Sequence, residues 1–530
     1  MIQGVFTMIK SMTGFGRSEY TDDKRVITVE IKSVNHRYCD LNIKLPKKFN
    51  AYENNLRNIM KKYLLILAFS CLTLCSCDNF LDLTPQSVLT PENAYEKPED
   101  WQQTLYAAYG TLQEVFVGKY TITLTEFGTD EVIPFDMGWA AYSQLHYYTF
   151  SASHEFLDNH YRLCYEGIKR CNAVIDMPSD AVSADLHSSM IMQARFLRAI
   201  YYFDLVRMYG GVPLWTKSSI DRSEIMKPHA TVDEVYTLIT QDMEAALGLP
   251  TSWPNAQDKG RATSYAAQAL LARIYLQWGK PGEALKYCRM LEGKFKLYDN
   301  LKDIFDPKNK NQEYENIFEI QFKHSGSWGL EGSIQHSYWG PRNVGGPTNF
   351  GGWGGFGPTQ YLYDSYDNAD KRKKAFFITE YAGVTQTPPS SGKFWDAETG
   401  NVIEDDNLNF TMIRYADVLL MKAEALNSID DTSNDKYDAL NEVRGRAGLT
   451  SITAADNLNK EQFAEIVLEE RLHELCCEHL RRWDLIRFGK LGEYMKDHAG
   501  VTIQPYHVLY PIPQAAVDAN DAITENNEGY

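Results

Sequence analysis

The residues with the most distinctive chemistry are aromatic rings set among glycine pairs in the segment 328–366. Glycines at this density cannot sustain a helix, so the sequence predicts that the rings are presented from a loop. A flat aromatic face suits a sugar ring, whose C–H bonds lie on one face while its hydroxyls point outward to polar side chains. The candidate ligand-binding rings of this segment are Trp328, Trp339, Trp353 and Phe356.

Charged residues of both signs also recur on predicted amphipathic helices, where they could be mistaken for acid and base catalysts. We interpret them as arginine–carboxylate pairs that fasten neighbouring helices, because an unpaired charge near a core is costly. No nucleophile elbow, HExxH motif or Cys-His arrangement is present, so we expect a binding protein and no catalytic residues. The charged residues in question are Arg414, Asp417, Glu424, Glu470, Arg471, Glu474 and Arg482.

The cysteines do not predict a metal site. Outside the first 77 residues they are Cys164, Cys171, Cys288, Cys476 and Cys477, which have no metal-binding spacing. Cys164 and Cys171 lie two helical turns apart, too far for a disulfide, and are expected to be core thiols. No Asp-x-Asp-x-Asp-Gly loop is present for calcium, and we expect neither a metal nor a cofactor.

The body of the chain has the pattern of a mainly α protein. A helix over 193–209 is expected to end at Gly210, and one over 265–279 is followed, after Pro281, by a second. In that pair, small and bulky residues fall at tetratricopeptide spacing. Another helix pair is expected within 463–488, before Gly489. An ordinary helical bundle with alanine seams is the alternative.

An export signal lies about sixty residues into the chain. Met60 and two lysines precede an apolar run over 63–74, too short to span about 30 Å of hydrocarbon. The following residues resemble a bacterial lipobox, in which Cys77, preceded by Ser76 and by Leu74, is the acceptor of the lipid. Residues 60–77 are therefore predicted to be a lipoprotein signal peptide; a short transmembrane or core helix is the alternative.

The segment before the signal has a different character. Residues 8–59, which include Met8–Arg17 and Val29–Tyr38, resemble the start of the YicC-like endoribonuclease family, whose C-terminal region is absent here. We expect residues 1–59 to be a truncated, inactive fragment joined to a reading frame that begins at Met60. A fused product that is never exported is the alternative.

The charge of the chain is unevenly distributed. The segment before the signal is basic and the whole chain has a net charge of −17, so the remainder is strongly acidic. Such a surface is unsuited to binding the phosphates of nucleic acid.

From Cys77 onward the chain resembles the SusD/RagB family of nutrient-binding lipoproteins of Bacteroidetes. The resemblance implies one SusD-like α-rich domain over 78–530, with four tetratricopeptide-like hairpins as a scaffold and an irregular, loop-rich part that carries the ligand surface. It rests on segments that follow one another through the whole mature chain: Cys77–Asp82, Gly167–Asn172, Arg195–Arg207, Ile413–Asn427, Leu440–Leu449, Glu469–Leu475, Arg482–Arg487 and Leu509–Gln514.

The same resemblance implies a function and a second group of site residues. It implies a surface protein, lipid-anchored to the outer membrane, that captures an oligosaccharide or polysaccharide for a SusC-like TonB-dependent transporter. The loop after Glu126 lies on the ligand face in that family, so Asp130, Asp136, Trp139 and Tyr142 are expected contacts. A RagB-like peptide-binding protein and a tetratricopeptide adaptor without glycan binding are the alternatives.

Overall fold

The structure is a computed structural model that divides into two compact units, Met1–Asn93 and Ala94–Tyr530. It describes residues 14–22, 25–33, 97–118, 120–218, 224–326, 332–342, 354–396, 402 and 404–530. In the first unit, strands β1 (Gly14–Asp22) and β2 (Arg25–Ser33) pair antiparallel. The predicted lipid acceptor Cys77 and the predicted ligand contacts Trp328 and Trp353 lie outside the described residues.

The second unit is mainly helical. Its first eight helices are α1 (Pro98–Leu112), α2 (Ile122–Glu126), α3 (Ala140–Tyr147), α4 (Glu155–Ile175), α5 (Ala184–Tyr209), α6 (Val232–Ala245), α7 (Ser264–Gln277) and α8 (Pro281–Met290). The later helices are α9 (Gln335–Trp339), α10 (Gln360–Ser365), α11 (Lys371–Ala375), α12 (Tyr415–Ser428), α13 (Asp435–Ala447), α14 (Lys460–Leu475), α15 (Arg481–Arg487), α16 (Leu491–Ala499) and α17 (Gln514–Ala519). No described helix has both the length and the apolar character that a membrane crossing requires.

Local signals in the sequence explain where the helices begin and end. The Thr231 side chain caps α6, and Glu234 bonds back to the Thr231 backbone, which satisfies two amide groups at once. Gly210, at a φ of +74°, ends α5 as predicted, and Gly489 has a φ of +68° shortly after α15. The predicted helices over 193–209, 265–279 and 463–488 are thus confirmed, the last as two helices.

Neighbouring helices pack closely where their residues are small. The pairs α4–α5, α7–α8 and α12–α13 are in extensive contact. Ala272 and Ala284 are fully buried in α7 and α8, as the tetratricopeptide spacing predicts. Cys164 and Cys171 are free and buried, which confirms that they are core thiols. The number of tetratricopeptide-like hairpins remains a prediction.

Buried ion pairs join the C-terminal helices to a strand. Arg414 donates to Glu474 at 2.6 Å, to Glu315 at 2.9 Å and to Glu478 at 2.9 Å. Burial alone would raise the pKa of Asp417, but Arg273 and Arg471 together lower it to about 2. The fastening role that we predicted for these arginines is thereby confirmed.

Arg482 departs from that prediction. Within the described part of the chain it forms no ion pair; instead it donates to the Tyr148 hydroxyl at 2.7 Å and to the His507 carbonyl at 2.8 Å. Two oxygen acceptors and the Tyr510 ring, 4.4 Å from the guanidinium carbon, surround this buried cation. Arg482 therefore ties α15 to the C-terminal segment without a carboxylate.

Short antiparallel sheets organise the irregular part. Strand β3 (Val132–Pro134) pairs with β5 (Phe356–Pro358), so that Val132 lies opposite Pro358 and Pro134 opposite Phe356. Strand β4 (Asn316–Ile320) pairs with β8 (Phe410–Arg414), and β6 (Phe377–Tyr381) pairs with β7 (Val384–Ser391). The β3–β5 pair joins the two segments that the sequence marks as ligand-binding.

Candidate functional site

A cluster of aromatic and acidic side chains lies where β3 leads into α3. Asp136 begins the turn, and its Oδ1 accepts a hydrogen bond from the Gly138 amide at 3.2 Å. The turn ends at Trp139, the residue directly before α3, and Tyr142 follows one helical turn later. Asp136 is exposed and Trp139 is half-buried, so both are accessible to a ligand.

The rings of this cluster are arranged as a shallow platform. The ring centroids of Trp139 and Tyr142 are 4.4 Å apart, at an interplanar angle of 34°. Tyr120 meets Trp139 edge-on at 6.4 Å and keeps 38% of its surface exposed. Phe156 supports both Trp139 and Tyr120 from the protein side, at 5.4 and 4.9 Å. The partly exposed indole is thus held in place by packing on its buried side.

Polar groups converge beside the platform. Burial raises the pKa of Tyr142, and the nearby Asp136, Tyr120 and Glu404 raise it further. The Tyr338 hydroxyl donates to Glu404 Oε1 at 2.9 Å, and the pKa of Tyr338 is also raised, by burial and then by Glu404. Phenol hydroxyls and carboxyl groups together offer both donors and acceptors to a polyhydroxylated ligand.

Two residues predicted as loop-presented ligand contacts are core residues instead. Trp339 ends α9 and Phe356 lies in β5, and neither has any exposed surface. Their rings meet edge-on at 4.7 Å, and Phe356 also packs against Phe127 at 5.4 Å. The glycine-rich segment therefore supplies packing beneath the platform at these positions, because β5 is drawn into the core by its pairing with β3.

Asp130 is placed away from the surface. Its two carboxylate oxygens accept from Nε and Nη2 of Arg481 at 2.8 and 2.7 Å, and both side chains are buried. A paired, buried carboxylate of this kind fixes the start of α15 against the loop after α2. Of the four residues predicted from this loop, the structure brings together Asp136, Trp139 and Tyr142, and it leaves out Asp130. Tyr142 is only 2% exposed, so its ring packs against the Trp139 indole from the core and is not presented to a ligand.

Sequence reasoning missed Tyr120 and Glu404. Tyr120 lies just beyond a helix end and carries no periodic or motif signal. Glu404 follows Trp139 by more than 250 residues and reaches the platform only through the fold. Tyr338 lies in the predicted aromatic segment, but its hydrogen bond to Glu404 has no sequence signature.

One group of possible metal ligands occurs in the described part of the chain, at His160, Cys164 and Asp204 in the core. Asp204 Oδ2 is hydrogen-bonded to His160 Nε2 at 2.7 Å, and its Oδ1 accepts from Arg207. The other ring nitrogen of His160 contacts the Tyr209 hydroxyl at 3.1 Å. Because an arginine already neutralises the carboxylate, the group acts as a hydrogen-bonded tie between α4 and α5.

Comparison with known families gives matches in three parts of the chain. Residues 79–276 match the family described as "Starch-binding associating with outer membrane", and residues 377–530 match the SusD family. Residues 9–65 match the N-terminal region of the YicC-like endoribonucleases. The Probable endoribonuclease YicC of Clostridioides difficile is 52% identical over 56 residues, which are 11% of this chain and 19% of that protein.

Relatives and solved structures with SusD-like or glycan-binding names match more than four fifths of this chain. A SusD-like protein P25 of Formosa agariphila is 25% identical, covering 88% of this chain and 98% of its own length. A laminarin binding SusD-like protein superposes with a TM-score of 0.71 at 26% identity, over 82% of this chain and all of that one. A surface glycan-binding protein A from Bacteroides thetaiotaomicron, in complex with laminarihexaose, has the same fold, with a TM-score of 0.67 at 23% identity over 81% and 99% of the two chains.

Proposed function

We propose, from the matches of residues 79–276 and 377–530 to SusD-like family models, that this protein captures a glycan at the cell surface through the platform formed by Tyr120 and Trp139, which the buried Tyr142 supports. It acts by binding and does not cleave its ligand. The observation that carries the proposal is the half-buried Trp139 ring, held by Phe156 on its buried side and flanked by Asp136. Laminarin, the ligand named for one relative, defines the first glycans to test.

The platform has the two features that sugar binding needs. A supported aromatic face buries the C–H side of a sugar ring at little entropic cost, since packing already fixes the indole. The carboxylates of Asp136 and Glu404, together with the phenol group of the exposed Tyr120, surround that face and can bond to the outward hydroxyls. A shallow, exposed platform suits a segment of a long chain.

Replacing Trp139 by alanine tests the site. Central aromatic contacts typically contribute 2 kcal/mol or more to binding, so we expect an affinity loss of about tenfold or greater. The measurement is isothermal titration calorimetry of the full chain with laminari-oligosaccharides and a panel of other neutral glycans. Trp278→Ala is the matched control, because Trp278 is also half-buried but lies next to α7 on the helical scaffold.

The outcome separates the competing functions. Loss of affinity in Trp139→Ala with retention in Trp278→Ala supports glycan capture at the platform. Equal affinities in both variants would contradict the site. Binding of peptides in place of every glycan would indicate a RagB-like function.

Anchoring and delivery complete the proposal. Diacylglycerol on Cys77 would hold the protein at the outer membrane, and the residues after it would act as a tether. The bound glycan would pass to a SusC-like TonB-dependent transporter on which this domain docks. Co-purification of a TonB-dependent barrel with the native protein supports this step, and its reproducible absence under mild extraction would count against it.

A further inference from the structure

A second cleft opens on another side of the irregular part. Its volume is about 320 Å³, within the range of small-ligand sites. One wall is the segment 301–308, another is α11 with the start of β6, and the third is the segment 392–396. None of these lining residues belongs to the platform; the buried Trp339 ring packs against Phe356 of β5 at 4.7 Å and against Phe394, in the third wall segment, at 5.5 Å.

The cleft is basic in a strongly acidic protein. Lys302, Lys308 and Lys374 line it and are exposed, whereas the whole chain has a net charge of −17. Within the described residues, the ammonium groups of Lys302 and Lys374 form no ion pair. Asp306 is the one part-exposed carboxylate of the lining, and its Oδ1 is bonded to the Lys308 amide at 2.9 Å. The lining holds four lysines, of which Lys393 is buried, against Asp306 and the buried Asp396, and this excess of positive charge favours an anionic ligand.

The floor of the cleft is aromatic and rigid. Trp395 is half-buried and stacks on His336, with centroids 4.2 Å apart and an interplanar angle of 21°, while Tyr381 meets it edge-on at 4.9 Å. Lys393 lies deeper, where its Nζ is held by Glu478 Oε1 at 2.7 Å and by the Glu474 carbonyl at 2.9 Å. Because its charge is already compensated, Lys393 shapes the floor, and the exposed Lys302 and Lys374 are left to meet a ligand.

We infer that this cleft is a second saccharide subsite, specific for a sugar unit with an anionic substituent, either a carboxylate or a sulfate ester. The sugar ring packs on the Trp395 side of the floor, and its anionic group lies between Lys302 and Lys374. That the ligand is a saccharide rests on the proposed function; the position and charge of the cleft are independent of it. Such a subsite would select charged polysaccharides while the platform holds the neutral stretch of the same chain.

Calorimetry on the full chain tests the subsite with four probes. Trigalacturonic acid is compared with its neutral methyl ester, and neocarratetraose disulfate with its desulfated form. We expect the anionic member of at least one pair to bind at least tenfold more tightly, with an affinity that falls as salt is added. The pair that shows the difference identifies the anionic group.

Variants then locate the binding. The double variant Lys302→Ser/Lys374→Ser should lower the affinity for the anionic probe by at least tenfold. The control double variant Lys286→Ser/Lys496→Ser removes two exposed lysines elsewhere and should change that affinity less than twofold. The inference is overturned if neither anionic probe binds, if the neutral forms bind equally, or if the cleft variant has no effect. If anionic binding depends on the cleft while neutral glycans never bind, the proposed function of the platform fails and the subsite stands.

Discussion

At the residue scale, Glu126 and Glu131 are buried carboxyl groups with few partners. Glu126 Oε1 accepts from the His479 amide at 2.8 Å, and the Glu131 carboxyl group lies within hydrogen-bonding reach of Glu126. Burial raises the pKa of Glu126 to about 8, and burial together with Glu126 raises the pKa of Glu131 well above its usual range. Glu126 therefore keeps its proton in most folded molecules near neutral pH.

This burial predicts a pH dependence. The folded state keeps a proton on Glu126 that the unfolded chain releases above about 4.5, so the free energy of unfolding should fall as the pH rises from about 4.5 to about 8. In the Glu126→Gln variant, the free energy of unfolding should fall less steeply with pH than in the wild type, by up to about 1.4 kcal/mol per pH unit. Denaturant titrations at pH 5, 6, 7 and 8 measure it. Parallel pH profiles for the wild type and the variant would show that Glu126 is ionised in the fold.

Arg414 should be a costly buried cation to remove. It contacts three carboxylates, Glu315, Glu474 and Glu478, all of them buried. Arg414→Met leaves these charges without their shared partner, and breaking a buried ion pair in this way costs about 3–5 kcal/mol. Arg162→Ala, which breaks an exposed pair with Glu166, should cost less than about 1 kcal/mol. Equal stability of the two variants in denaturant unfolding would refute the fastening role.

At the element scale, the packing of α4 on α5 depends on Gly167. A Cβ there would lie 2.4 Å from the ring of Tyr201, which is fully buried. Gly167→Ala should therefore destabilise the protein by about 1–3 kcal/mol despite the better helix propensity of alanine. Gly282→Ala in α8 is the matched control, since nothing lies within 4 Å of its Cβ, and it should be neutral or stabilising by up to about 1 kcal/mol. Thermal unfolding of the two variants provides the comparison.

The elements also show what the sequence can and cannot predict. The helices were predictable because the apolar period and glycines such as Gly210 are local signals. The core position of Phe356 was not, because it follows from a strand pairing with Pro134 across more than 200 residues. The platform was predicted in part, through Asp136, Trp139 and Tyr142, while Glu404 reaches it only through tertiary structure.

At the scale of the whole molecule, the charge and the internal export signal predict a processed surface protein. Mass spectrometry of the native protein should find Cys77 as an acylated N-terminus, because Ser76 and Leu74 meet the requirements of the lipobox. Cys77→Ala should shift the protein from the membrane fraction, since acyl chains provide the anchoring energy. Peptides from residues 9–59 joined to the mature chain would refute this processing.

The central claim is that the protein binds glycans at the Trp139 platform without cleaving them. The most direct measurement is calorimetric titration of the full chain with laminari-oligosaccharides and other neutral glycans, with a reducing-end assay of the same samples after prolonged incubation. We predict saturable binding that Trp139→Ala weakens by about tenfold or more, and no new reducing ends. New reducing ends, or binding that is indifferent to Trp139, would contradict the claim.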